Sequence, residues 1–165
     1  MRFAEAKLVK VDKHFPVTWE IKFEFWALEV RGRCFASEIL DSWSKTQKSD
    51  FKKIAMAAKL VGQGRPVTNP NFVKPDEEDS GVYEMRAAGR SARLMFYYAA
   101  PYAGSSKEGV VILLDYYWKT KQSKKEQERC FAGARRLMEL AEQYLDKLYD
   151  DTFCSAPVRK KGKLR

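Results

Sequence analysis

GVYEMRAAGRSARLMFYY, residues 81–98, reads as two strands folded back on each other. Val82–Arg86 is short and apolar at alternate positions, Ala88-Gly89-Arg90-Ser91 supplies the turn, and 93–99 (RLMFYYA) returns. After the flexible loop PYAGSSKEG comes VVILLDYY at 110–117. Its unbroken apolar start suits a central strand covered on both faces. Together these segments predict a three-stranded antiparallel meander.

Outward from the meander, the period changes. Toward the N-terminus, residues 65–81 (RPVTNPNFVKPDEEDSG) hold three prolines and an acidic run, which predicts a loop. Before it, Phe51, Ile54, Ala55, Ala58 and Val61 recur at helical spacing, with Ser49 placed to cap the helix and Gly62, Gly64 and Pro66 to stop it. Phe35, Ile39, Leu40 and Trp43 mark an earlier helix, so the two form a hairpin. Ahead of the turn Arg31-Gly32-Arg33, residues 19–28 (WEIKFEFWAL) alternate. Trp19, Ile21, Phe23 and Phe25 lie on one face and Glu20, Lys22 and Glu24 on the other, the pattern of a half-buried strand. Residues 8–11 make a shorter candidate strand. Beyond the meander, Phe131, Ala134, Leu137, Met138, Ala141, Tyr144, Leu145 and Leu148 predict one long amphipathic helix over 124–149. The fold class is α+β: strand, helix hairpin, meander, long C-terminal helix. Residues 1–150 suit a single domain, and 151–165 read as a basic, disordered tail.

Charge and composition narrow the function. The 31 Lys and Arg against 22 Asp and Glu give a formal charge of +9, and the last nine residues, PVRKKGKLR, carry five of those positive charges. Such a balance suits a polyanion or an acidic protein partner. No apolar run approaches the ~20 residues that span a bilayer, and the N-terminus lacks the apolar stretch of a signal peptide. Cys34, Cys130 and Cys154 are odd in number and unpaired in sequence, which points to reduced thiols and a cytoplasmic protein. The one histidine, His14, has no Cys or paired carboxylate nearby in sequence, so a surface or loop role is expected and no metal or cofactor site is predicted.

Three stretches resemble the RelE/ParE superfamily of bacterial toxins, in particular its phage-derived HigB-like branch: KLVGQGRP at 59–66, GVYEMRAAGRSARLMFYY at 81–98, and VVILLDYYWKTKQSKKEQERC at 110–130. The match covers about residues 19–145. It implies a RelE-like fold and a type II toxin that cuts mRNA on the ribosome without a metal. It also implies a cognate antitoxin, acidic or of helix-turn-helix type. ParE-type members, which share the fold, inhibit DNA gyrase by binding. A phage-derived RNA-binding module without catalysis is a third reading.

RNA cleavage of this kind is an in-line attack of the ribose 2′-OH on the adjacent phosphate. It needs a base, cations around the phosphorane-like transition state, and an acid at the 5′-oxygen. By resemblance Arg93 is the phosphate-binding arginine, and Arg86 matches the arginine of the "Tyr-Glu-Leu-Arg" motif. The competing reading of either is an ion pair across the sheet. Glu84 shares a strand face with Arg86, as base or as ion-pair partner. The family often has a histidine before its last helix. Here Asp115 or Tyr117 takes that place, so the acid–base role falls to Lys or Tyr: Tyr117 and Lys119 complete the candidate catalytic set. Lys121, Lys124 and Lys125 are candidate phosphate contacts, and Tyr116 and Trp118 candidate base-stacking residues.

Overall fold

The computed structural model describes residues 5–11, 13–15, 20–65, 69–120 and 124–154. Its elements are β1 (Ala6–Lys10), β2 (Phe23–Val30), α1 (Phe35–Thr46), α2 (Lys48–Gly62), β3 (Val73–Pro75), β4 (Val82–Arg86), β5 (Ala92–Ala99), β6 (Gly109–Trp118), α3 (Lys124–Gln143) and α4 (Leu145–Tyr149), followed by a wide π-type turn, Asp150–Cys154. The architecture is α+β, a six-stranded mixed sheet in the order β1-β2-β6-β5-β4-β3. β2 and β6 pair in parallel, and all other neighbours are antiparallel.

Helices cover both faces. The α1–α2 hairpin packs on one side, over Phe25, Ala27, Met85, Leu94, Phe96, Val111 and Leu113. On the other, α3 and α4 cover Trp26, Leu28, Val82, Met95, Tyr97, Ile112 and Leu114. This explains the unbroken apolar run of β6: Val110, Val111, Ile112, Leu113 and Leu114 are all fully buried, because both faces of the central strand meet core. Among the described residues, no helix is long and apolar enough to cross a membrane.

Several sequence expectations change in detail. The strand expected over 19–28 is Phe23–Val30, and it is not half-exposed. Trp26, Leu28 and Val30 lie under α4 and the terminal turn, while Glu24 on that side accepts hydrogen bonds from Trp26 Nε1 (3.2 Å) and Tyr102 Oη (2.8 Å). Polar alternation there marks a charge bonded at the strand's end, not a solvent face. The loop over 65–81 contains a short edge strand, Val73–Pro75, paired with β4. A three-residue strand ending in proline carries no periodicity, and such an edge resists further pairing.

At the start of α2, Ser49 is not the cap: the helix begins at Lys48 after the single residue Gln47, with no side-chain cap. Its end is close to expectation. Gly64 has φ +70°, the left-handed conformation that suits a residue just past a helix, and a Cβ on Gly62 would lie 2.7 Å from the Phe25 ring. The long helix expected over 124–149 breaks at Tyr144. Beyond the break, Tyr149 Oη donates to the Ala100 carbonyl (2.6 Å) and Phe153 stacks on Tyr102 at 3.7 Å, contacts that a continuous helix would forgo. His14 lies in a turn after β1, in keeping with the loop role expected, but its ring is engaged: it sits against Phe51 and bonds Asp41 of α1 (2.9 Å).

Candidate functional site

Residue pairing across three strands builds the site. Arg86 of β4 stands opposite Arg93 of β5, and Arg93 opposite Tyr117 of β6. Directly opposed residues of an antiparallel pair project to the same face. All three therefore lie on the α3 side of the sheet, at the end of the strands. Glu84, two residues before Arg86, shares that face and is fully buried. Its carboxylate accepts Arg86 Nε (2.7 Å) and Tyr117 Oη (2.9 Å), and Arg93 Nε lies 3.6 Å away.

A β-bulge brings β6 into this arrangement. The pairing runs Met95 with Asp115 but Phe96 with Leu113, so Leu114 is an extra residue on β6. Without it, strand alternation would turn Leu114 and Tyr117 to opposite faces. With it, both join the α3-side core, and Tyr116 goes to the other face against Trp43 (5.8 Å, edge-on). The Asp115 carboxylate accepts the Tyr116 backbone N–H (2.8 Å) beside the bulge, and burial raises its pKa.

Above the buried carboxylate lies an open groove of about 510 Å³, walled by Asn71, Arg86, Arg90, Ser91, Arg93 and Lys119 among others. Glu84 and Tyr117 lie beneath it. Arg93 is 6% exposed; its Nη1 donates to the carbonyls of Arg90 and Ala92 (both 2.9 Å), and its Nε–H is the one buried side-chain polar atom without a hydrogen-bond partner among the described residues. Burial, and next the Arg86 charge, lower the Arg93 pKa, although a guanidinium stays protonated regardless. The Lys119 ammonium is likewise held below its ordinary range, first by burial and then by Arg93 and Arg86. Cations that depress one another gain when an anion arrives between them. Burial pushes the Tyr117 hydroxyl well above its ordinary value, and the adjoining Glu84 charge adds to this. Its proton is committed to Glu84.

Of the sequence-predicted residues, Arg86, Arg93, Glu84, Tyr117 and Lys119 come together. Arg86 and Arg93 both line the groove, and both lie near the Glu84 carboxylate, so the ion-pair geometry weighed from the sequence is present. Lys121 lies outside the described residues. Lys124 is drawn to a different cleft, with Asp76, Glu77, Glu78 and Glu128, and Lys125 is exposed at the start of α3. Tyr116 packs inward on Trp43, and Trp118, 38% exposed, leans on the same ring at 6.3 Å, away from the arginine face.

Sequence reasoning missed Asn71, Arg90, Ser91 and the residue that anchors them, Asp50. Asp50 sits in the first turn of α2, almost fully buried, and accepts from Arg90 Nε, Ser91 N (3.1 Å) and Ala92 N (2.9 Å). Burial alone would raise its pKa, but Arg90 and the two amides outweigh that and lower it. Lys53, one helical turn on, donates to the Ala88 carbonyl (2.8 Å), so α2 grips the β4–β5 turn twice. Among the described residues, no group of three His, Cys, Asp or Glu side chains could hold a metal ion. Compared with known proteins, the chain matches no family model and no curated sequence.

Proposed function

We propose that the chain is a RelE-like toxin of a type II toxin–antitoxin pair, an endoribonuclease that cuts mRNA on the ribosome. The observation that carries this reading is the convergence of Arg86, Arg93 and Lys119 on one open groove, with the buried Glu84 behind them. The sequence resemblance supports it independently. The site sits at the end of three neighbouring strands, and among the described residues the groove is open enough to admit an extended RNA strand.

In this reading the two guanidiniums receive the scissile phosphate. The terminal nitrogens of Arg86, and Nη2 of Arg93, whose Nη1 is held by two carbonyls, offer charge-assisted bonds to the phosphate's non-bridging oxygens, and the interaction strengthens as negative charge builds in the transition state. The 2′-oxygen attacks phosphorus, the bond to the 5′-oxygen breaks, and the products are a 2′,3′-cyclic phosphate and a 5′-hydroxyl. Lys119 is the groove cation with a dissociable proton, and its lowered pKa suits it to protonate the departing oxygen. Glu84 and Tyr117 lie behind the arginines and act by holding them in place. The 2′-hydroxyl proton passes to solvent.

The test is induced expression in a bacterium, followed by primer extension on ribosome-bound transcripts. The expected result is in-frame cleavage with unchanged DNA supercoiling, abolished by Arg93→Ala. Normal growth and intact transcripts while soluble protein accumulates would overturn the proposal. Gyrase-linked DNA breaks with intact transcripts would replace it with the ParE-type reading.

A further inference from the structure

The groove holds a cation that neither the strand pattern nor the proposed chemistry uses. Arg90 sits on the turn between β4 and β5 and lines the same groove as Arg86 and Arg93. Its side chain is 47% exposed, yet it is not loose: Nε donates to the buried Asp50 carboxylate. Among the described residues, no acceptor is bonded to its two terminal nitrogens. One edge of the guanidinium is therefore fixed by the protein, and the other is presented outward. A side chain held this way has already lost much of the rotamer freedom that a ligand would otherwise have to remove.

The same carboxylate shapes the backbone. Asp50 also receives the amides of Ser91 and Ala92, and the Arg90 carbonyl in turn accepts Arg93 Nη1. One buried acid, brought in by a helix 40 residues earlier in the chain, thus fixes both Arg90 and the acceptor that orients Arg93. Plain charge balance does not explain the arrangement. A carboxylate placed behind a cationic groove weakens its field, which costs a polyanion site some attraction.

We infer that Arg90 is a further phosphate-contacting residue of this groove, and that Asp50 is the positioning residue that presents it. The inference rests on the groove being a site for an RNA backbone, but not on cleavage. The contact falls on a phosphate beside the one that Arg93 receives, so the groove takes a strand, not a single phosphate group.

A 2′-O-methyl RNA octamer is the probe, because blocking the 2′-hydroxyl separates binding from chemistry. Binding is followed by fluorescence anisotropy across a salt series on the full chain. Arg90→Gln should weaken binding about tenfold at low salt, the loss of one charge-assisted contact. It should also reduce the slope of log K against log salt by about 0.7, one single-strand phosphate. Arg90→Lys should restore the slope but not the affinity, since it keeps the charge and loses the fork. Asp50→Asn is the decisive variant. Acting through charge alone, removal of the carboxylate would tighten binding; acting by position, it should weaken binding about three- to fivefold. Combined with Arg90→Gln it should weaken binding by less than the product of the two single effects, the remainder being its hold on the Arg90 carbonyl that orients Arg93. Melting temperatures accompany each measurement, and Arg90→Lys keeps the question answerable if Asp50→Asn folds poorly. Tighter binding by Asp50→Asn, or wild-type binding by both Arg90 variants, overturns the inference. If Arg93→Ala weakens binding while the Arg90 variants do not, the groove reading survives and this one fails. If the Arg90 effects appear in a protein that cleaves nothing, this inference stands and the nuclease reading fails.

Discussion

Asp76→Asn should destabilise the protein strongly at neutral pH and hardly at all in acid. Asp76 closes the acidic loop between β3 and β4 onto α3: Arg135 approaches it through two nitrogens (2.5 and 3.0 Å), and Ser80 Oγ and the Glu78 amide complete its shell (2.7 and 3.3 Å). Arg135 foremost, against the opposing effect of burial, holds its pKa down to about 2 from the ordinary 3.8. A gap of nearly two pH units corresponds to about 2 kcal/mol of stability, because each unit is ~1.4 kcal/mol. The folded pKa is the depressed one. The contribution is therefore complete above pH ~5, where the unfolded chain is ionised as well, and it is lost as pH falls through about 2. Urea melts of wild type and Asp76→Asn from pH 7 to pH 2 measure this directly. At neutral pH the variant should lose about 2 kcal/mol, or roughly 4–8 °C in Tm for a chain of this size. The gap should fall to about half by pH 3 and close only as pH reaches about 2, where the wild-type side chain becomes neutral in the folded protein as well. A difference under ~0.5 kcal/mol at pH 7, or one that stays constant through the acid range, refutes the linkage argument.

The remaining expectations concern the groove. Arg93→Ala should slow ribosome-dependent cleavage ~10²–10³-fold, the cost of one preorganised transition-state donor, and Arg93→Lys should slow it less with little change in Tm. Tyr117→Phe removes a donor from the buried Glu84 and should cost about 1–2 kcal/mol in a denaturant melt; unchanged stability would mean that the hydroxyl does not serve the carboxylate. Glu84→Gln leaves Arg86 and Arg93 without their shared counter-charge and should cost ~3 kcal/mol, a loss that a wild-type melting curve would disprove. Truncation after residue 156 removes five positive charges, so RNA binding should weaken most at low salt while Tm holds.

How far these features were legible follows from the range of each signal. Alternation placed Glu84 and Arg86 on one face, and a four-residue turn put Arg93 within reach; both are local rules, and both describe the structure. Asp50 obeys no local rule. On a helical wheel it is an ordinary acid in a first turn, and its importance comes from a hairpin 40 residues away. The break at Tyr144 was hidden for a similar reason. The apolar period runs on through Leu148, and only the contacts of Tyr149 and Phe153 with the loop after β5 reveal that the chain turns. The alternating charges of β2 pointed to water because sequence records polarity but not what covers it.

The extra residue at Leu114 lets one strand answer to two unrelated demands. Up to that point the side chains of β6 are fixed by the interior, and a substitution there is judged by volume. Past it, the phase is reset, and what matters is which groups meet the arginines. The halves can drift separately: repacking Ile112 or Leu113 leaves the rim untouched. A change in length is another matter. Deleting a single residue at 114–115 would rotate the rim by half a turn, carrying Tyr116 and Trp118 to the arginines and turning Lys119 toward the α1 side. Such a deletion keeps the composition almost intact and exchanges a cationic rim for an aromatic one.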